Sequence, residues 1–147
     1  MEDKKAGLPV EIQESTKSQI PISKQVPNSK IPNPKRYDLE DRCLEFAKRV
    51  KEYINALPKS LTNIEFSRQL IRSAGSVGAN YIEANESLSR KDFLLRAKTA
   101  RKEAKESAYW IRLTDAAREW VVEKDALIQE SEELLRILSA IIVRFRA

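Results

Sequence analysis

The 147-residue chain has no histidine, one cysteine and three glycines, and its aromatics make up 7% of the residues. Each scarcity removes a class of function. Without histidine there is no imidazole general base and no Cys/His zinc pattern. With Cys43 alone, no disulfide can close within the chain. Apolar runs are only a few residues long, and no charged segment followed by an apolar one opens the sequence. The expectation is therefore no membrane contact, no secretory leader and a cytoplasmic address. What is present is 41% hydrophobic and 33% charged residues, enough for one ordinary domain with a core.

Net charge is +5, unevenly spread. Residues 90–105 hold seven Lys/Arg against two acids, and residues 1–37 hold seven against four. The remaining segments are neutral or slightly acidic. The basic excess thus sits in an N-terminal tail and in one later segment, a distribution that suits an anionic partner.

Five of the six prolines fall in the first 34 residues, among Lys, Ser, Gln and Asn. Proline recurs too often there for a helix or strand to grow. Residues 1–36 are expected to be a flexible arm, solvated or ordering on a partner, and 37–147 the folded domain. From Asp38 the pattern changes. Leu39, Cys43, Phe46, Ala47, Val50, Tyr53, Ile54 and Leu57 recur at three- and four-residue steps. That spacing predicts a first helix with Asp38 as N-cap and Pro58 as stop. Thr62 to Glu65 reads as a capping box for a second helix reaching Leu88. Ser89 with Asp92 opens a third, through Ala97, Ala100, Ala104, Ala108 and Ile111 to about Arg118. A fourth runs from about Asp125 through Leu127, Leu134, Leu138 and Ile142. The expected class is all-α, an antiparallel up-down-up-down four-helix bundle.

Gly75 and Gly78 lie inside the second helix. No strand precedes them and no Gly-Lys-Ser/Thr follows, so a phosphate-cradling loop is disfavoured. An interior glycine costs about 1 kcal/mol relative to alanine, which asks for a packing reason. Ala74, Gly75, Gly78 and Ala79 would admit a close helix, and the small line Ala97, Ala100, Ala104, Ala108 makes the third helix the expected mate. The opposite arc, with Arg68, Arg72, Ser76, Asn80 and Glu83, is either a solvated face or a subunit contact.

Arg90, Lys91, Arg96, Lys98, Arg101, Lys102 and Lys105 cover much of the third helix and are the candidate nucleic-acid-binding residues. Tyr109 and Trp110 could meet a base, although at that spacing core or interface anchoring competes. Glu103 with Glu106, or Glu132 with Glu133, would need the Glu-x-x-His motif of di-metal bundles, and there is no histidine. Cys43 lies on the apolar stripe. No catalytic constellation, cofactor site or metal site emerges, and a non-enzymatic protein is expected.

The segments "YDLEDRCLEFAKRV" and "SRQLIRSAGSVGANYIEANESLSRKDFLLRAKTARKEAKESAYWIRLT", with the closing apolar helix, resemble the bacterial 23S rRNA intervening sequence proteins. The similarity covers about Tyr37 to Phe145. It implies a left-handed four-helix bundle assembling as a ring-shaped homopentamer. A related protein accompanies the reverse transcriptase of diversity-generating retroelements, which implies nucleic-acid binding through a basic surface. The alternative, of a different class, is a protein-interaction scaffold, for example an accessory subunit of a polymerase or reverse transcriptase, without direct nucleic-acid binding. The "EG" of the family's "ANIAEG"-like run is Glu83-Ala84 here, which favours an uninterrupted second helix.

Overall fold

The computed structural model describes residues 34–146, and side chains from Leu39 to Arg146. The expected arm lies outside the described residues except for its last three positions. Four helices make up nearly all of what is described: α1 Pro34–Ala56, α2 Leu61–Asn85, α3 Arg90–Leu113 and α4 Val121–Arg146, the last preceded by a short 3₁₀ turn, Arg118–Trp120.

Contacts between neighbours give the topology. Gly78 of α2 lies against Cys43 of α1, and Asn85 Nδ2 donates to Glu40 at 2.7 Å. Ser107 of α3 donates to Ser73 Oγ of α2 at 3.1 Å, and Phe66 stacks with Trp110 at 6.1 Å. Phe93 of α3 stacks with Phe145 of α4 at 4.0 Å, while Arg112 pairs with Glu132. Arg42 and Arg49 of α1 pair with Glu130 and Glu123 of α4. In every pair one number rises as the other falls. Each helix is therefore antiparallel to both its neighbours, and the fold is the up-down-up-down bundle expected from periodicity. The core draws large side chains from α1, α2 and α4, among them Phe46, Tyr53, Leu70, Val77, Leu127, Leu134, Leu138 and Ile142. Apart from Ile111, α3 contributes alanines, Ala97, Ala100 and Ala104, all fully buried, so its backbone sits deep between α2 and α4.

Several helix ends differ from expectation. Helix α1 begins at Pro34, so Asp38 lies inside it rather than at a cap. Proline is at home in the first turn, where its missing N–H would have had no partner. The N-cap of α2 is Ser60, whose Oγ accepts the Asn63 amide at 3.1 Å, and not Thr62. Helix α2 is continuous through Gly75 and Gly78 but stops at Asn85, leaving Leu88 outside and 99% exposed. Ser89 caps α3 as expected, accepting the Asp92 amide at 3.0 Å.

Helix α3 stops at Leu113, five residues early, because Thr114 turns to extended backbone (φ −80°, ψ 153°). Thr114 is fully buried; its Oγ1 donates to the Ile111 carbonyl and lies 2.7 Å from the Tyr53 hydroxyl. Lys124 then donates to the Thr114 carbonyl at 2.7 Å, and α4 starts four residues before Asp125.

The close approach at Gly78 also differs. A Cβ there would stand 3.1 Å from the Cβ of Cys43, whereas at Gly75 it would meet nothing within 4 Å. The glycine admits α1, not α3. The α2–α3 contact is made close by Ser73, Ser107 and the alanine line instead.

Candidate nucleic-acid interface

The inward line of α3, Ala97, Ala100, Ala104, Ser107, Ala108 and Ile111, determines which of its cations face out. At about 100° per residue the seven basic residues divide into three groups. Arg90 and Arg101 lie on the flank toward α4: the Arg90 guanidinium donates to the Phe145 carbonyl, and Arg101 donates to Ser139 Oγ at 3.4 Å. Arg96 lies on the flank toward α2 and donates to Asn80 Oδ1 at 3.4 Å. Lys91, Lys98, Lys102 and Lys105 point outward, all exposed. Among the described residues none of these four lysines forms an ion pair within 4.0 Å. The arginines thus tie α3 to its neighbours, and the lysines form a ridge about 21 Å long at 1.5 Å per residue.

Acids border the ridge on one side. Glu103 is half-buried toward α2, and burial, helped by the neighbouring Glu106, pushes its carboxyl above the usual glutamate range against the pull of Lys102 and Arg72. Glu106 is exposed beyond it. The outward side of α3 is therefore cationic through Lys105 and mixed past it.

The proposed subunit-contact residues of α2 share its outward arc, with Asn80 at the edge toward α3. Asn80 donates to the Ser76 carbonyl at 2.9 Å and accepts from Arg96, so it belongs to the α2–α3 junction. Arg68 lies 3.9 Å from Glu65 on its own helix. Arg72 and Glu83 are both exposed, the Glu83 carbonyl accepting the Ser87 hydroxyl at 3.2 Å.

Sequence reasoning missed three features. Leu44 of α1, and Ile71 and Ile82 on the side of α2 that borders the α1–α2 junction, are each about half exposed, and an added Cβ at Gly75 would meet nothing within 4 Å. Near the α1–α2 loop this junction widens into an open cleft of about 330 Å³ lined by Ile54, Ile64, Ser67 and Ile71. Ile64, Ile71 and Ile82 fall on one line of α2 at about 100° per residue, but an apolar line does not say what covers it. The second feature is the pair of forked bridges from Arg42 and Arg49 to Glu130 and Glu123, with N–O distances from 2.7 to 3.1 Å. Their signal was legible as cations and acids each seven residues apart on two helices. The third is Asn63, buried and bonded to both loops at its end of the bundle.

Among the described residues no three Cys, Asp or Glu side chains are grouped to hold a metal ion, and no helix is long and apolar enough to cross a membrane.

Comparison with known proteins agrees with this architecture. The chain is similar to a solved protein of unknown function from the S23 ribosomal protein family of Bacteroides thetaiotaomicron VPI-5482. The two share 33% identity with a TM-score of 0.64, over 74% of this chain and 97% of that one. No curated protein matches the chain. Residues 35–140 match the sequence model described as 23S rRNA-intervening sequence protein, a span that takes in most of the bundle. With its four antiparallel helices and that match, the chain belongs to the 23S rRNA-intervening sequence protein family.

Proposed function

We propose that this protein is a cytoplasmic, non-enzymatic, self-associating bundle that binds structured RNA or another nucleic acid through the outward cations of α3. The observation that carries the reading is the division of those cations. Lys91, Lys98, Lys102 and Lys105 share one exposed ridge with no ion pair among the described residues, while Arg90, Arg96 and Arg101 are engaged by α2 and α4. Unpaired lysines on a rigid helix suit a phosphate backbone, where released counterions drive binding. The family's description, which refers to 23S rRNA, favours RNA as the anion. Self-association is supported by Leu44, Ile71 and Ile82 standing half exposed next to the arc of Arg68, Arg72, Ser76, Asn80 and Glu83. A ring, such as the pentamer expected by resemblance, would multiply the ridge.

The test combines light scattering with retention of RNA at graded salt. Four phosphate contacts per protomer correspond to a slope of roughly −3 to −4 in log affinity against log salt. Replacing the four lysines by glutamine should flatten that slope and abolish retention while leaving melting unchanged. Undiminished binding, or a partner protein captured equally well after nuclease treatment with no RNA retained, would overturn the reading in favour of a protein scaffold. A monomeric mass would overturn self-association.

A further inference from the structure

We propose that Tyr109 is a stacking platform for an unpaired nucleobase at one end of the lysine ridge, so that the site takes single-stranded or looped nucleic acid and not only duplex. This rests on the reading of the ridge as a phosphate-binding surface. Lys91, Lys98, Lys102 and Tyr109 follow one another at steps of seven, four and seven residues. At about 100° per residue those steps keep all four within a sector of roughly 40°. The ring therefore continues the ridge. Lys105 is one turn before it, about 6 Å along the axis, within reach of a phosphate attached to a base on the ring.

The ring is both open and held. Tyr109 is 56% exposed, yet its ring meets that of Trp110 in a T-shaped contact, with centroids 4.9 Å apart and planes at 72°. Trp110 is in turn stacked on Phe66 of α2, with planes 30° apart. Its buried Nε1 has no hydrogen-bond partner among the described residues, so packing against Phe66 and the core places it. A ring held in this way loses little freedom when a base stacks on it.

The hydroxyl argues in the same direction. Among the described residues the Tyr109 hydroxyl makes no hydrogen bond, in contrast to the fully buried Tyr53, whose hydroxyl lies 2.7 Å from Thr114 Oγ1. Tyr53 is a fold residue; Tyr109 offers an exposed ring with an unengaged hydroxyl.

The charges nearby select a base over a phosphate. Glu106 lies three residues before the ring, and Arg112, three residues after it, is already paired with Glu132. Acids repel a backbone phosphate there, while a neutral base on an aromatic face is tolerated. Leu113, exposed on the same side, extends the apolar surface.

The experiment uses the full chain with two probes, a labelled oligouridylate and a blunt RNA duplex of equal length, followed by anisotropy at two salt concentrations. Tyr109→Ala should weaken the single-strand complex about tenfold or more, leave duplex binding within about twofold and keep the salt slope. Tyr109→Phe should bind both probes like the parent. Equal losses on both probes, no loss on the single strand, failure of Tyr109→Phe to restore binding, or a change in assembly mass caused by Tyr109→Ala would each overturn the stacking site. A parent protein that retains neither probe would refute the nucleic-acid reading itself, and the stacking site with it.

Discussion

Asn63 of α2 and Asp115 of the α3–α4 connection bind each other twice: Asn63 Nδ2 donates to the Asp115 carbonyl at 3.0 Å, and the Asp115 amide donates to Asn63 Oδ1 at 2.9 Å. The same Nδ2 donates to the Pro58 carbonyl at 2.9 Å. One buried amide thus joins the α1–α2 loop to the α3–α4 loop. Asn63→Ala would leave the Asp115 amide and carbonyl without their partner, while the Pro58 carbonyl keeps the Ser60 amide at 2.9 Å, and should cost about 2–4 kcal/mol, read from urea midpoints. A loss below about 0.5 kcal/mol would show that water replaces the clamp.

The two helical glycines should respond with opposite sign. Gly75→Ala adds a methyl into open space and removes the helix cost of glycine, for a gain of up to about 1 kcal/mol. Gly78→Ala brings a Cβ to 3.1 Å from that of Cys43, on a helix pinned to α4 by Arg42 and Arg49. Overpacking there should outweigh the propensity gain and leave a net loss of about 1 kcal/mol. Thermal melts of the two variants decide it; equal stabilisation by both would mean that α1 yields freely.

Cys43 should be chemically silent in the folded protein. It is fully buried, and burial, with lesser contributions from Glu130 and Glu40, pushes its thiol from 9.0 up to about 12. Folding favours the neutral thiol, so its contribution to stability is complete below about pH 9 and is lost as pH rises toward 12. At neutral pH a thiol-specific reagent should label the protein quickly in denaturant and only at the rate of opening in buffer. Rapid labelling of folded protein would contradict the packing of α1 on α2.

Glu103 makes a pH-dependent contribution of the opposite kind to that of a salt-bridged acid. Its carboxyl is raised by burial first and by Glu106 second. In the window just above the ordinary glutamate range the folded chain holds a proton that the unfolded chain has released. Stability therefore falls as pH rises through that window. Glu103→Gln should flatten this fall and be the more stable form at neutral pH. Urea midpoints of both proteins at several pH values check it; a parallel pH dependence would place the charge in solvent.

Local information was enough for the helices themselves. The three- and four-residue steps of Cys43, Phe46 and Val50, or of Ala97, Ala100 and Ala104, define a buried line on each helix. The cap at Ser89 is made by neighbours three residues away. The class of fold follows, because four such lines joined by short loops can be buried only against one another. Helix ends were legible only where the cap is local. Thr114 ends α3 through a contact with Tyr53, 61 positions away in the chain, which no window around Thr114 reveals.

The candidate site divides in the same way. Composition located the cations on α3, and periodicity placed them around its axis. A helical wheel gives angles about one axis but not which neighbour stands at each angle. That information comes from packing: α4 takes Arg90 and Arg101, α2 takes Arg96, and the four lysines are left outside. Gly78 illustrates the same limit, since its spacing announced a close approach and only the position of Cys43 showed that the approaching helix is α1. Sequence alone determined that these residues form helices and which side of each is apolar, because those effects act within a few residues. The tertiary structure decided which sides meet, because contacts between helices depend on residues far apart in the chain.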